Sequence, residues 1–396
     1  MGIVLMCCAL VPLDSCSEQE GAKMHLIIEY LSYFTVLVGT VYAVSWVLNI
    51  EPQKQGYKTL EGLRGVCAAS VAIFHIYYRA GGADDNYWSV DYLPESIIRA
   101  FNLTGVLPVA LFFMLSGFLF FRKALAPHFN TRAFIVGRVA RIYPPIIAIT
   151  AIAYVASLIV NGSDAVSTPL WFIRSLPTLF KMPFPTINGA YPGNSGLGVT
   201  WTLVWELRLY VAIPFIALLM RYITHKRALV VIICMVGVWL AKHLFIGAHS
   251  NLGLIMYFLC GFLIAAIDDK RRPADWICMM LFVVLISLLI RRNPFSVSSP
   301  LYVAVIFFFI RNGFSFYGLL TCRAVQLLGT CSYSLYLCHC ITQFVAKHYL
   351  YSTGNNVWQL GSIVATGVLA PLMYKFVERL TIRRCRENTA PLTAQH

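Results

Sequence analysis

The sequence predicts an all-α, polytopic integral membrane helix bundle, with about ten core transmembrane helices plus one extra N-terminal helix. Three observations carry this prediction. Only 12% of the 396 residues are charged and 59% are hydrophobic, whereas a soluble domain carries about 25% charged residues. The apolar residues gather in runs of about 20, long enough for a helix to cross a bilayer and about twice what a barrel strand needs. The basic residues fall between these runs, mostly on alternate links, as in cytoplasmic loops.

Residues 1–23 begin apolar but lack a basic n-region, so no standard secretory signal peptide is expected there, and the segment stays unassigned. Residues 24–57 hold the extra leading helix and a linker. Residues 58–380 form one membrane domain, and 381–396 a short tail. The spans are expected at 26–48, 60–79, 104–121, 141–160, 200–219, 228–246, 252–267, 274–290, 299–316, 327–348 and 357–377. With that count, Arg122, Lys123, Arg132 and Arg138 share a side with Arg221, Lys226 and Arg227. Lys270, Arg271 and Arg272 fall there too, as do Arg379, Arg383, Arg384 and Arg386. That side, with the C-terminus, is expected to be the cytoplasmic face of a bacterial inner membrane. Arg291 and Arg292 are the main dissent. The outer link 161–199 is rich in Pro, Gly and aromatic residues, and suits either a loop anchored on the membrane surface or a lid that binds an acceptor.

The net charge of +14 is spread over these links rather than gathered on one face, so nucleic acid is not an expected partner. The twelve cysteines lie mostly inside apolar runs without metal-type spacing. They read as small buried hydrophobes, and no metal site is expected. Cys338 and Cys340 flank His339, but three consecutive helical positions point three ways.

The chemistry-bearing residues start with Leu60–Tyr78, which carries Arg64 and His75 eleven residues apart. That spacing puts both on nearly one helical face, about 16 Å apart along the axis. Ionisable groups in a span are costly and tend to face protein or a wet cavity. Glu206, in the oppositely directed fifth span, lies at a depth matching His75, so the carboxylate could orient the imidazole of a general base. Pairing of Glu206 with Arg208 or Arg64 would instead be structural. Arg138 and Arg141 share a face at the mouth of the fourth span, followed by Tyr143. Planar guanidinium groups suit phosphate, but on spacing alone positive-inside anchoring, which any basic pair supplies, is the better explanation. Ser116 lies mid-span in FFMLSG, and Ser332 and His339 belong to a polar stripe in the tenth span. Cavity lining and polar packing are both open to them.

In order along the chain, LEGLRG with Arg64 and His75, FFMLSG at 112–117, Arg138-x-x-Arg141 with Tyr143-Pro144, the run W-T-L-x-x-E ending at Glu206, and CSYSLYLCH ending at His339 form one set. With this set the chain resembles the membrane acyltransferase family 3 over residues 58–380. The resemblance implies an O-acyltransferase that uses cytoplasmic acyl-CoA, most often acetyl-CoA, as donor substrate rather than as a bound cofactor. It implies a sugar hydroxyl of a lipid-linked or surface polysaccharide as acceptor. Arg64 and His75 match the family's functional pair, and Arg138 and Arg141 match a pair that meets the donor. With Glu206 they are the expected catalytic and donor-binding residues, with Tyr143 beside the donor. Ser116, Ser332 and His339 are the candidates for cavity lining or for carrying the acyl group. The chain looks like the single-domain class, which includes O-antigen acetylases of bacteria and phages. From the residues alone, a transporter or flippase for a glycolipid or small solute is the rival reading.

Overall fold

The computed structural model describes residues 17–53, 56–77, 79–81, 87–89, 95–161, 176, 198–223, 225–246, 252–267, 270–292, 296–350 and 357–389. Its helices are α1 (Ser17–Val47), α2 (Lys58–Ile76), α3 (Glu95–Ala124), α4 (Thr131–Asn161), α5 (Trp201–Tyr222) and α6 (Arg227–Ala241). They continue with α7 (Leu252–Ile267), α8 (Asp275–Ile290), α9 (Ser299–Arg311), α10 (Arg323–Thr330), α11 (Ser332–Leu350), α12 (Val357–Met373) and α13 (Arg379–Thr389). A short antiparallel hairpin, Arg79–Gly81 with Tyr87–Ser89, follows α2 within an otherwise helical architecture. It lies beyond the end of α2, where the backbone no longer needs to satisfy its hydrogen bonds within one helix.

Among the described residues, seven helices are long and apolar enough to cross a membrane, and α7, α8 and α9 are shorter apolar helices. The helix α11 is 19 residues long but is not one of the seven, since it carries Ser332, Ser334, His339, Thr342, Gln343 and Lys347. The expected tenth span, 327–348, is broken at Cys331 into α10 and α11. The leading helix begins at Ser17, earlier than expected, and the last span runs through a π-turn (Tyr374–Glu378) into α13. The expected lid or surface loop at 161–199 lies almost wholly outside the described residues.

The helix α2 is the spine. Over its spanning stretch 83% is buried, against 11% for the peripheral α6, whose Leu229, Ile232, Ile233, Val236 and Trp239 are exposed. Such exposed apolar side chains suit contact with lipid. Around α2 pack α1, α3, α10 and α11, while α7 lies along α3 and α12 along α11 and α1. The leading helix is thus part of the bundle: Tyr30 donates to the Ser70 carbonyl at 3.4 Å, and Tyr77 donates to Glu29 at 3.1 Å.

Lipid tails are as apolar as leucine, so helices in a membrane associate through close packing and hydrogen bonds rather than apolar burial. Glycines supply that closeness. Gly62 and Gly65 meet the backbone of Leu320 and Gly329, and Gly117 and Gly261 bring α3 against α7. A Cβ on Gly117 would stand 2.5 Å from the Phe258 carbonyl oxygen, which is backbone and can yield only if the helices part. Gly117→Ala is therefore expected to destabilise the bundle by about 1–3 kcal/mol, read as a lower midpoint of thermal unfolding in detergent. Gly137→Ala, with nothing within 4 Å of the added Cβ, is expected to leave the midpoint unchanged.

Candidate active site

A cavity of about 870 Å³, counting the space at its mouth, lies between α2, α3, α4, α5 and α11. Helical periodicity brings its lining together. On α5, Thr202, Glu206 and Tyr210 follow at four-residue steps along one face, and on α4 Arg141 and Ile142 lie three and four residues after Arg138, on its face. Phe112, Ser116 and Phe120 come from α3, Arg64 from α2, and Ser332, Tyr333 and Tyr336 from α11. Six of the residues expected from the sequence, Arg64, Ser116, Arg138, Arg141, Glu206 and Ser332, thus meet in one space.

Three guanidinium groups and one carboxylate face this cavity, and two further carboxylates stand behind its wall. Glu61 pairs with Arg64 at 3.3 Å, one helical turn away on α2. Glu378, on the π-turn after α12 and 2% exposed, lies 3.8 Å from the Arg141 Nε and accepts a hydrogen bond from the Ser334 hydroxyl at 2.9 Å. Glu206 accepts a hydrogen bond from the Tyr210 hydroxyl, four residues on. The Arg138 guanidinium stands 5.3 Å over the Phe120 ring, beside Tyr210 and Glu206, and its Nε is buried without a hydrogen-bond partner among the described residues. Glu61 and Glu378 offset two of the three positive groups, and the Arg138 Nε is the cavity-facing guanidinium donor left open among the described residues. A bound anion would complete it.

Three expectations need correction. Arg138 and Arg141 do not stand at the mouth of their helix, because α4 begins at Thr131 and places them two to three turns inside it. Glu206 does not orient His75: its hydrogen bond goes to Tyr210, and none among the described residues joins it to His75. Among the described residues no ion pair joins Glu206 to Arg208 or Arg64 either; the Arg208 guanidinium stands 4.6 Å over the Trp205 ring, and Arg64 pairs with Glu61. Matching depth placed Glu206 and His75 at one level, but the helix faces that meet at that level are set by packing. Tyr143 is half-buried against the core and does not line the cavity, because the neighbouring position Ile142 takes that face.

His75 also lies outside the lining, at the far end of α2 from Arg64. Its Nδ1 is 2.8 Å from the Val71 carbonyl oxygen. A carbonyl only accepts, so Nδ1 carries the hydrogen and, in the neutral ring, the lone pair is on Nε2. The ring of His339, fully buried and likewise outside the lining, stands 5.1 Å away, centroid to centroid. Tyr336 links the two regions: it lines the cavity, and its ring lies 5.8 Å from that of His339. Its hydroxyl donates to the Val199 carbonyl at 2.8 Å and meets the Thr202 hydroxyl at 2.9 Å.

Sequence reasoning missed Glu378 and Tyr210, and Glu61 as the partner of Arg64. The i, i+3 and i, i+4 spacings signal Glu61 and Tyr210. Glu378 carries no local signal, because its partner Arg141 is far away in sequence and the π-turn that aims it inward is not legible from periodicity.

The profile of the acyltransferase domain family matches residues 57–375. The chain is 23% identical over 361 residues to a protein of Komagataeibacter xylinus bearing the name of a membrane-bound transacylase, BcsY, with 87% of each chain covered. It is 28% identical over 146 residues to nodulation protein 10 of Rhizobium leguminosarum bv. viciae, a match spanning 34% of this chain and 40% of that protein. No solved structure matches it. A family match over most of the chain, on a bundle of apolar helices with buried ionisable residues at its centre, identifies an acyltransferase seated in the membrane, and the chain belongs to the membrane acyltransferase family 3.

Proposed function

We propose that the protein moves an acetyl group from cytoplasmic acetyl-CoA to a sugar hydroxyl of a lipid-linked or surface polysaccharide such as O-antigen, across the bacterial inner membrane. The observation that carries this reading is the cavity wall, where Arg64, Arg138 and Arg141 converge on one space. Guanidinium groups suit the phosphates of a coenzyme A, and an unpartnered Arg138 Nε suits an anionic oxygen. The basic links and the C-terminal tail then lie on the cytoplasmic side, with the donor, and His75 lies towards the acceptor.

In this mechanism the acceptor hydroxyl attacks the thioester carbonyl directly. His75 takes the hydroxyl proton on Nε2, the atom left basic by the Nδ1 contact with Val71. The Arg64 guanidinium stabilises negative charge on the donor side. Glu206, with Tyr210, shapes the donor cavity rather than the base. The rival reading, a glycolipid transporter, is not favoured: family membership accounts for the same buried charges through acyl transfer.

The test is expression in a host with a defined surface polysaccharide, followed by mass spectrometry before and after mild base. A base-labile gain of acetyl mass is the expected result, and its absence would refute the reading. For the donor site, Arg138→Ala is expected to weaken acetyl-CoA binding about 10- to 100-fold, the loss of one or two charge-assisted hydrogen bonds. Calorimetry on the detergent-solubilised chain measures it, and unchanged affinity would remove Arg138 from the donor site.

A further inference from the structure

We infer that His339 is the positioning residue of His75, the two imidazoles forming a pair outside the cavity lining, next to Tyr336; this rests on the acyl transfer proposed above. The rings are in contact, 5.1 Å between centroids with their planes at 44°. Their helices are held in register beside them, because the Gln343 side-chain amide on α11 donates to the Ala72 carbonyl on α2 at 2.7 Å. Val71, whose carbonyl fixes the tautomer of His75, packs with Val199 and with Tyr336, one helical turn before His339.

Two further features separate His339 from a packing residue. It is 0% exposed, yet its Nδ1 has no hydrogen-bond partner among the described residues. A buried, unsatisfied nitrogen carries a cost that leucine at the same place would avoid. Its Nε2 is 3.2 Å from the Cys340 sulfur. Thiol and ring nitrogen can each be the donor in that contact, and the same ring touches His75.

The step balances without a further reactant. As the acceptor oxygen bonds to the thioester carbonyl carbon, its proton passes to His75 Nε2. The carbon–sulfur bond then breaks, and the same proton moves from His75 to the departing thiolate, leaving an ester and the free thiol of coenzyme A. His339 takes up no net proton. It holds the His75 ring in place and keeps a polar ring against it while His75 is an imidazolium, a charge that is otherwise costly inside a membrane.

The experiment uses the full chain in liposomes with acetyl-CoA and unacetylated O-antigen polysaccharide, comparing the parent with His75→Ala, His339→Leu and His339→Gln. His339→Leu is expected to lower kcat about 10- to 100-fold with the acetyl-CoA KM within about twofold. His339→Gln, which keeps a polar atom beside His75, is expected to recover part of that loss. Full activity of His339→Leu beside an inactive His75→Ala would overturn this inference and leave the acyl-transfer reading standing. Equal losses in the leucine and glutamine variants, or loss of acetyl-CoA binding along with kcat, would assign His339 to packing and overturn it too. An inactive parent, or a fully active His75→Ala, would overturn both.

Discussion

His75→Ala is expected to lower the rate of acyl transfer by about 10²–10⁴-fold, the contribution of a positioned general base. Acetyl-CoA binding is expected to stay within about threefold of the parent, since the lost contact matters in the transition state and not in the donor complex. The separation follows from geometry: the cavity proposed for the donor is lined from Arg64 to Tyr336, and His75 lies outside that lining, near the other end of α2. Truncation to alanine also leaves the helix intact, because alanine has the highest helix propensity and the Nδ1 contact is to the side chain's own helix, at Val71. Single-turnover transfer and donor binding, measured on the same preparation, check this. Equal losses of binding and rate would place His75 in the donor site, and an unchanged rate would remove it from the chemistry.

The largest effect on stability is expected at Glu378. Removing its carboxylate in Glu378→Ala leaves the Arg141 guanidinium facing a buried void, and orphans the Ser334 hydroxyl that donates to it. Breaking a buried ion pair from one side costs about 3–5 kcal/mol. The lower end applies here, because the Arg141 side chain is 23% exposed towards the cavity and water there screens it. Replacing both partners by apolar residues of similar size, Arg141→Met with Glu378→Leu, is expected to recover most of that loss, since neither charge is then left alone. Denaturant unfolding of the solubilised chain, scored across Arg141→Met, Glu378→Leu and the double variant, measures the coupling. An additive double variant would mean that the 3.8 Å pair contributes nothing to the fold.

The polytopic character and most helix positions were legible in the sequence, because hydropathy and the reach of a helix are local properties. Where the reading slipped, a non-local constraint acted. The tenth span reads as one run, yet it breaks at Cys331, where the short α10 packs on α2 through Gly329 and Gly65 while α11 turns to the cavity. The start of α4 was placed about ten residues late, since its first turns are polar enough to read as a link. That error moved Arg138 and Arg141 from the interior of the helix to its mouth.

The site divides in the same way. The sequence by itself determined which side chains were too costly to leave in lipid: Arg64, His75, Glu206 and His339 stand out in apolar runs whatever the fold. Their ordered motifs also pointed to the family. Only the tertiary structure decided who meets whom. It gave Glu206 to Tyr210, Arg141 to Glu378 and His75 to His339, partners on which depth and spacing were silent or misleading. The physical reason is that depth fixes one coordinate of a side chain, while rotation and neighbour choice are set by helix contacts. Those contacts rest on glycine crossings and on hydrogen bonds such as Gln343 to Ala72, which join residues far apart in the chain.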